Sequence, residues 1–585
     1  MRRKRDGRQW CWALGAGGLA VFGVALASGG CDAVSGIDDL AFERGPGTFC
    51  ESFDDCTDGN YCDYQDRVCR PQLPIGAECT ANEQCASEEA RTGRCAHGYC
   101  CNGPCTGDCF ACDVPTQEGT CQVLRDFTDP HDDCPGTTGC GTDGQCEGHV
   151  EWTKAFGDAH VDAATGVVFG ADGNMVVVGT FHDSIHFGDA LQTSAGSSDV
   201  FVAKLDREGG DKGWSRSFGG TGAETVAGVA VDSLGNLWVA GDFEGAATFG
   251  NPLVSEGGRD VFVMKLKPED GSVLDAWQLG PASNQLASAI AIDSTDRVIL
   301  TGSFFDSIEY GGNNSGSGNP TEDAFVVVYQ PNGNVGWHRE LGDPFEAQRG
   351  RAVATDSRGD VIVAIEGRGV VESLSGSTTD DDAYVLRLDT ASGAPATSQL
   401  LFGEAGDQYA SAVGVDSRDR VWVVGSFSDR IKAPGGPELQ AVDDLDGYFA
   451  RFTPVFQHER SESFGGDFDD VPLAMAIDVD DEVTIVGRFQ LDLRIGDEGV
   501  LNGGNDIFVL KLTSAGDHQW AEAFGGPLLD QALAVAAAPP LPGSEPDPHV
   551  GELAVVGSFQ ATVDLGGTVL GADGDSDLYA ALLAP

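Results

Sequence analysis

The chain has 585 residues, of which 82 are glycine and only four are methionine, and its formal net charge is −57. The length exceeds that of one ordinary domain, and the composition favours turn-rich β structure over helical bundles. An acidic surface of this strength repels nucleic-acid phosphates and bare anionic lipid, so we expect no nucleic-acid partner. It favours divalent cations, basic partners or a saline environment.

Residues 1–30 have the layout of an export signal. Five Arg/Lys residues within positions 2–8 precede an uncharged stretch from Gln9 to Gly30. The segment Ser28-Gly29-Gly30-Cys31 resembles a bacterial lipobox, whereas Ala25-Leu26-Ala27 fits an ordinary cleavage site. An uncleaved anchor is a third alternative, because 22 uncharged residues are just long enough to span a bilayer.

The number of cysteines separates these alternatives. Cleavage before Cys31 uses that thiol for a lipid and leaves 16 cysteines for pairing, whereas cleavage after Ala27 leaves 17. We therefore predict lipidation at Cys31 and removal of residues 1–30, which changes the formal charge from −57 to −61. The protein is then expected to be exported and attached by its lipid alone to the bacterial cell envelope, at the outer membrane.

A cysteine-rich module is predicted over residues 50–148, after a flexible tether at 31–49. Such a density of cysteines indicates an oxidising compartment and a disulfide-stabilised segment. A zinc site or a redox dithiol at Cys109–Cys112 is a weaker alternative. The disulfide-forming residues, of unknown pairing, are Cys50, Cys56, Cys62, Cys69, Cys79, Cys85, Cys95, Cys100, Cys101, Cys105, Cys109, Cys112, Cys121, Cys134, Cys140 and Cys146. The first half of the module, with Asp55-Cys56 and Gly59-Asn60-Tyr61-Cys62, resembles the Dickkopf N-terminal cysteine-rich family. This resemblance implies a disulfide-bonded knob and no particular ligand.

Residues 150–585 contain an internal repeat of about 60 residues, a period typical of stacked supersecondary units. Each repeat contains Asp-any-Phe/Tyr, and the seven aspartates are Asp199, Asp260, Asp323, Asp382, Asp446, Asp506 and Asp577. The second repeat shows four short β-rich segments, which begin near Trp214, Gly228, Leu237 and Asp260. We therefore predict an all-β, seven-bladed β-propeller of four-stranded blades.

The two ends of the repeat region predict how the ring closes. The region opens with an unpartnered Trp-type strand at 152–157 and ends with a strand at 577–583 that lacks a following Trp-type strand. We expect residues 152–157 to complete a last blade formed by residues 532–583, because a closed ring protects its strand edges.

The repeats resemble the SBBP-type β-propeller family of bacterial exported proteins. The matching runs are Gly-Val-Ala-Val-Asp-Ser with Gly-Asn, then Val-any-Gly-any-Phe, then Asp-any-Phe-Val-any-Lys-Leu. The resemblance implies the fold and no catalytic residues.

No catalytic motif is recognised in the sequence, which contains neither a Gly-any-Ser-any-Gly elbow nor a His-Glu-any-any-His motif. We expect a non-enzymatic scaffold that binds a protein or glycan through unlike loops such as 310–321 and 431–444. An extracellular hydrolase or lyase and a calcium-stabilised adhesin are the alternatives.

Candidate metal ligands are few. We expect no cofactor other than calcium, for which the weak candidates are Asp467, Asp469, Asp478 and Asp480. His182 and His186 form a possible metal pair on one strand face. The repeated aspartates are expected to cap turns at strand starts.

Overall fold

A computed structural model describes short strands of the N-terminal region and then residues 149–584. The gaps in the second part are residues 189–190, 211–212, 281–282, 311–312, 316–320, 344, 372–373, 377–378, 397–398, 496–497 and 542–548. The predicted lipid-bearing Cys31, the tether and most of the cysteine module lie outside the described residues. All regular elements of the described residues are β-strands, and no helix among them is long and apolar enough to cross a membrane.

The chain divides into two compact units, Met1–Thr106 with Phe110–Gln122, and Gly107–Cys109 with Val123–Pro585. The N-terminal strands form hairpins in which Cys62 lies opposite Cys69, and Cys95 opposite Cys100. Disulfide pairing stays a prediction. These strands are β1 (Cys11–Leu14), β2 (Ala20–Gly23), β3 (Asn60–Asp63), β4 (Val68–Pro71), β5 (Arg94–Ala96), β6 (Tyr99–Cys101), β7 (Phe110–Ala111) and β8 (Gln122–Val123).

The second unit consists of four-stranded antiparallel sheets, which we number in chain order and whose strands we call inner, second, third and outer. Sheet 1 contains β10 (Ala163–Phe169), β11 (Met175–Phe181), β14 (Asp199–Leu205) and β15 (Trp214–Gly220). Sheet 2 contains β16 (Glu224–Val231), β17 (Leu237–Phe249), β18 (Asn251–Leu266) and β19 (Val273–Leu279). Sheet 3 contains β20 (Gln285–Ile292), β21 (Val298–Phe305), β24 (Glu322–Tyr329) and β25 (Val335–Leu341). Sheet 4 contains β26 (Gln348–Thr355), β27 (Val361–Gly367), β30 (Asp382–Leu388) and β31 (Leu400–Phe402).

The remaining sheets repeat this order. Sheet 5 contains β32 (Ala412–Val415), β33 (Val421–Phe427), β36 (Asp446–Phe452) and β37 (His458–Gly465). Sheet 6 contains β38 (Val471–Ile477), β39 (Val483–Ile495), β40 (Glu498–Leu512) and β41 (His518–Phe524). Sheet 7 contains β42 (Asp530–Ala537), β43 (Leu553–Phe559), β46 (Asp577–Leu583) and β9 (Val150–Phe156). Extra pairing of outer strands β15 and β37 joins sheet 1 to sheet 2 and sheet 5 to sheet 6.

Each connection between a second and a third strand carries an additional hairpin. In sheets 2 and 6 the hairpin is a continuation of the two long strands. In the other sheets it is a separate pair: β12 (Ser184–His186) with β13 (Leu191–Thr193), β22 (Ile308–Tyr310) with β23 (Asn313–Ser315), β28 (Val370–Val371) with β29 (Leu374–Ser375), β34 (Arg430–Lys432) with β35 (Glu438–Gln440), and β44 (Thr562–Leu565) with β45 (Thr568–Gly571).

The sheets are arranged in a ring. The inner strands contact one another in the order β10, β16, β20, β26, β32, β38 and β42, and β42 in turn contacts β10. Neighbouring sheets share a hydrophobic core between their faces, as between sheets 6 and 7, where Trp520 and Tyr579 are buried in one cluster. This cyclic packing of four-stranded antiparallel sheets is that of a β-propeller.

The predicted pairing between the two ends of the repeat region is confirmed. Strand β9 pairs with β46 in antiparallel register, with Leu578 opposite Phe156 and Leu582 opposite Trp152. The boundaries differ slightly from those expected, since β9 begins at Val150 and sheet 7 begins at Asp530. The first and last strands of the ring therefore share one sheet.

Tryptophans on the outer strands link neighbouring sheets. The indole Nε1 of Trp152 donates to the Arg207 carbonyl at 2.6 Å, and Trp214 donates to the Pro268 carbonyl at 3.1 Å. Each indole also covers a glycine of the adjacent sheet, Gly210 beneath Trp152 and Gly271 beneath Trp214. These glycines have φ values of +73° and +68°, a conformation that favours glycine. The Trp-any-any-any-Phe motif thus fastens one sheet to the next.

We expect Trp152→Ala to lower the free energy of unfolding by about 2 kcal/mol, since it removes a large half-buried side chain and a hydrogen bond across the closing junction. Urea unfolding followed by fluorescence measures the change. Glu151→Ala, on the same strand but exposed, is the control and should stay within about 0.5 kcal/mol of the unaltered protein. Equal effects of the two substitutions would contradict a closing role for Trp152.

Candidate interaction face

The ring has two unlike ends. We call hairpin face the end that carries the additional hairpins and the loops leading from each outer strand to the next inner strand. The opposite end, with the short turns between inner and second strands and between third and outer strands, is the turn face. The chain enters the ring at Val150 and leaves it at Leu583, which lie opposite each other at the turn face. The hairpin face therefore carries neither end of the ring.

The seven repeated aspartates lie where the third strands enter the four-stranded sheets, beneath the hairpin face, and all are buried. Four of the carboxylates accept a hydrogen bond from the backbone four residues earlier, as Asp199 does from Ala195 N at 3.0 Å and Asp446 from Val442 N at 2.9 Å. Asp506 accepts from Gly504 N, two residues earlier, at 2.7 Å. A carboxylate that satisfies backbone N–H groups in this way fixes the turn before its strand. The geometry is that of turn caps, and the aspartates do not present a row of ligands to solvent.

Each of these aspartates also lies against the glycine that ends the Trp-type strand of the same sheet. A Cβ at Gly219 would lie 2.6 Å from Asp199 Cγ, and one at Gly525 would lie 2.2 Å from Asp506 Cγ. The Phe-Gly ending of the outer strand is therefore required for space, because any side chain there would displace a buried carboxyl group.

A second polar side chain completes every junction between neighbouring sheets. It stands at the start of the following inner strand and is always Asp, Glu or Gln, with an exposure of 0% at every position. The residues, in ring order, are Asp162, Glu224, Gln285, Gln348, Gln408, Asp470 and Asp530. We refer to this set as the junction acids and amides. Sequence reasoning missed it, although each member follows the glycine of the Phe-Gly or Leu-Gly ending by five or six residues.

Where two carboxyl groups meet at a junction, both disfavour ionisation. The carboxyl groups of Asp199 and Glu224 hydrogen-bond to each other. Burial, together with the neighbouring Asp199, raises the pKa of Glu224 to about 7. Burial likewise raises the pKa of Asp470 to about 8 and that of Asp530 to about 7. Two acids so close together hold a proton between them at neutral pH.

The turn face is built from repeated Asp turns. Asp232 Oδ1 accepts from Leu234 N at 3.0 Å and from Asn236 N at 2.8 Å, as expected for a capped turn. The serine beside this aspartate reaches the next sheet, where Ser233 N and Oγ donate to Asp296 at 2.7 and 2.6 Å. The same bridge joins Ser357 to Asp419 and Ser417 to Asp481. Sequence reasoning missed these bridges between sheets.

The four weak calcium candidates are not brought together. Asp467 and Asp469 precede β38 at the hairpin face, whereas Asp478 and Asp480 follow the strand at the turn face. Seven residues of strand separate the two pairs by roughly 20 Å. Asp478 is moreover bound to the buried ammonium group of Lys511 at 2.8 Å. The two pairs are therefore separate candidates, and calcium binding at either pair stays a prediction.

The two histidines of the predicted metal pair do not lie on one strand. His182 precedes β12 and its Nδ1 lies 2.5 Å from the Val161 carbonyl, whereas His186 ends β12 and its Nδ1 accepts from Gly188 N at 3.2 Å. The prediction that the two histidines share one strand face is wrong, because β12 begins only at Ser184.

Asp158, His160 and Asp183 place three possible metal ligands within 4.8 Å of one another on the hairpin face. Asp158 is already engaged, since its Oδ2 accepts from Ser184 N at 2.8 Å and its Oδ1 from His160 N at 3.1 Å. Burial raises the pKa of Asp158, but these hydrogen bonds outweigh that effect and leave the pKa below its usual value. The group fastens the first hairpin to the loop before β10.

The bulged residue of one inner strand differs in charge from those of the other inner strands. Six of the inner strands contain a bulge with one extra residue: Thr165, Ala227, Ser288, Arg351, Leu473 and Leu533. Arg351 is the one charged member of this set, and its side chain is 40% exposed. It holds Glu366 through two hydrogen bonds of 2.8 and 2.9 Å. Bulges of this kind re-aim a side chain, often beside functional sites.

A second arginine extends this cluster. Arg349 Nε donates to Glu322 at 2.6 Å, and Glu322 also accepts from Ser303 at 2.5 Å. The Ile365-Glu366-Gly367 sequence, which departs from the Gly-any-Phe ending of other repeats, supplies Glu366 for Arg351. The sequence showed the departure, but the bulge that aims Arg351 at its partner is not readable from it. The four charges neutralise one another, so the cluster joins sheets 3 and 4 in the middle of an otherwise uncharged set of bulges.

Comparisons with known proteins give fold likenesses alone. No protein-family model matches the chain, and no curated protein matches it. Among solved structures, the Dos1 propeller is 11% identical, with a TM-score of 0.35 over 73% of this chain and 94% of that one. Sqt1 from Chaetomium thermophilum is 12% identical, with a TM-score of 0.36 over 75% and 99%. The quinohemoprotein alcohol dehydrogenase ADHIIG from Pseudomonas putida HK5 is 11% identical, with a TM-score of 0.33 over 73% and 77%. The assignment to the β-propellers rests on the sheet topology.

Glu224→Gln tests whether the junction acids hold protons. The folded pKa of Glu224, about 7, lies above its ordinary value of 4.5. The stability that this proton contributes is therefore complete below pH 4.5 and is lost as the pH rises through 7. Glutamine, which occupies this place in sheets 3 to 5, needs no proton. We compare the free energy of unfolding of the Glu224→Gln variant with that of the unaltered protein. We expect this difference to shift in favour of the variant by on the order of 2 kcal/mol between mildly acidic and alkaline pH.

Urea unfolding across this pH range provides the measurement. Glu244→Gln, an exposed carboxylate on the same sheet, is the matched control and should follow the unaltered protein at every pH. If the Glu224 variant shows the same pH dependence as the unaltered protein, the junction carries no proton.

Proposed function

We propose that the protein is a non-enzymatic, exported lipoprotein of the bacterial cell envelope, and that its seven-bladed β-propeller is a binding scaffold for a protein or glycan. Residues 150–585 would form the propeller, residues 50–148 a disulfide-bonded module, and Cys31 the lipid-bearing first residue. Neither cofactor nor nucleic acid is part of this proposal.

The blade number is supported by the agreement between the repeat in the sequence and the repeat of sheets in the structure. The Asp-any-Phe/Tyr phrase recurs seven times in the sequence. The inner strands contact one another in a cycle that returns from β42 to β10. Each sheet between these points contains four strands, if the two joined sheets are divided at their outer strands. These features are those of the SBBP-type repeats that the sequence resembles.

The observation that carries the scaffold role is the contrast between the framework and the hairpin face. The caps, glycines and junction residues recur in every sheet, as expected for a structural framework. The hairpins above them differ in length, register and composition from one sheet to the next. Loops of this kind on a rigid scaffold are where binding residues concentrate.

Capture from an envelope extract tests the scaffold role. The mature protein is immobilised and compared with two charge-reversed variants, Asp443→Lys with Asp444→Lys on the hairpin face, and Asp270→Lys with Asp389→Lys on the turn face. All four residues are exposed. We expect one or a few envelope components to be retained, and the hairpin-face variant to lose them while the turn-face variant keeps them. Equal retention by both variants, or no retention at all, would count against the proposal.

The lipid anchor has its own test. We expect Cys31→Ser to release the protein from the membrane fraction, because the thioether-linked lipid is then absent and no second anchor is proposed. Mass spectrometry of the mature N-terminus should show a lipid-modified Cys31 in the unaltered protein. An N-terminus at Ser28 without lipid would show instead that cleavage follows Ala27.

A further inference from the structure

Exposed apolar side chains are unevenly distributed between the two faces. Ten of the 14 exposed large hydrophobic residues of the described chain lie in connections of the hairpin face, and four at the turn face. The ten are Val161, Leu191, Val254, Phe345, Val370, Val442, Phe468, Leu491, Leu528 and Val569. Clustering of exposed apolar residues on one face marks an interaction surface more often than a solvated one.

Four of these residues share one place in the repeat. Val161, Phe345, Phe468 and Leu528 each lie in a loop that leads into an inner strand, and they are 49%, 81%, 45% and 50% exposed. Two of these loops lie against the point where a third strand enters its sheet, since Val161 bridges to Ser576 and Leu529 bridges to Asn505. We call the four side chains the apolar rim.

The backbone at Phe468 supports a role beyond packing. Its φ is +71°, a conformation that non-glycine residues rarely adopt. The loop is held in this form by Asp470, whose Oδ2 accepts from Gly466 N at 2.6 Å. The aromatic side chain at this position is 45% exposed. Strain of this kind is typical of binding and active sites.

The hairpin face is also the more acidic of the two faces. Among described exposed residues it carries 13 Asp/Glu against two Lys/Arg, whereas the turn face, including the first residues of the outer strands, carries ten against three. Asp467 and Asp469 flank Phe468, and Asp343 and Glu346 flank Phe345. The arginines of the central cluster do not offset these acids, because Glu366 and Glu322 neutralise them. Acidic loops therefore surround apolar anchors.

We propose that the apolar rim binds a cationic amphipathic segment of a partner protein, with apolar side chains seated at the rim and Lys/Arg side chains against the surrounding acids. This inference rests on the scaffold role proposed above. Apolar anchors supply affinity at the centre of such an interface, and complementary charge supplies specificity and association rate. The same acids would repel an anionic membrane surface or a nucleic acid.

Fluorescence anisotropy with short synthetic peptides tests the inference on the mature protein. Three labelled peptides are compared: one built of Lys and Leu in an amphipathic pattern, one of Lys and Ser, and one of Glu and Leu. We expect the Lys/Leu peptide to bind at least about tenfold more tightly than either of the others, and its affinity to fall as salt is added. Comparable binding of the Glu/Leu peptide would overturn the role of charge, and comparable binding of the Lys/Ser peptide would overturn the role of the rim.

Matched variants locate the site. Phe345→Ser and Phe468→Ser remove exposed rim residues, and Leu234→Ser and Val455→Ser remove residues of the turn face that are 79% and 62% exposed. We expect each rim variant to weaken binding of the Lys/Leu peptide about tenfold or more, and the turn-face variants to leave it unchanged. Equal weakening by both sets, or no peptide binding at all, would overturn the proposal. If peptide binding fails while capture of envelope components persists, the inference about the partner is wrong and the scaffold role stands.

Discussion

Every junction between neighbouring sheets depends on one arrangement, a buried aspartate set against a glycine and a second polar side chain. At the junction of sheets 1 and 2 these are Asp199, Gly219 and Glu224. The carboxylate satisfies backbone N–H groups of the turn before its strand, the glycine gives it room, and the partner comes from the next inner strand. Loss of any of the three would leave a buried polar group unpaired or without space, which is expensive in a folded interior. Because the arrangement spans two sheets, it also fixes how consecutive sheets stand to one another.

Repetition explains why much of this fold can be predicted from sequence. Period, strand composition and turn residues are local properties, and the four-stranded unit follows from them. The pairing of β9 with β46 follows from the unpartnered strand at each end of the repeat region. The capped turn at Asp232 is likewise local. The junction acids and amides were not predicted because the position is occupied by Asp, Glu or Gln in different repeats. Only packing shows that each of them lies at the repeated aspartate of its own junction. The Ser233–Asp296 bridge escaped for a similar reason, since its partners are 63 residues apart.

The candidate site was less predictable than the framework. Composition and loop length indicated the face, but the exposed side chains of the rim lie in short loops that look ordinary in sequence. The role of Arg351 depends on a bulge, which is a property of pairing between two strands. The placement of the metal candidates also depends on packing: the strand β38 separates the two pairs of aspartates, and Asp158 is already engaged by backbone N–H groups.

The buried carboxyl pairs change how the charge of the chain should be understood. A formal charge of −57 counts every Asp and Glu as ionised. Burial, however, raises the pKa values of Glu224, Asp470 and Asp530 to between about 7 and 8, so these groups retain protons near neutral pH. The charge that a partner meets is therefore that of the exposed acids, and these are concentrated on the hairpin face. Acidic residues thus have two different roles in this protein. Protonated and buried, it joins the sheets; ionised and exposed, it gives one end of the ring the sign that an approaching cationic segment would recognise.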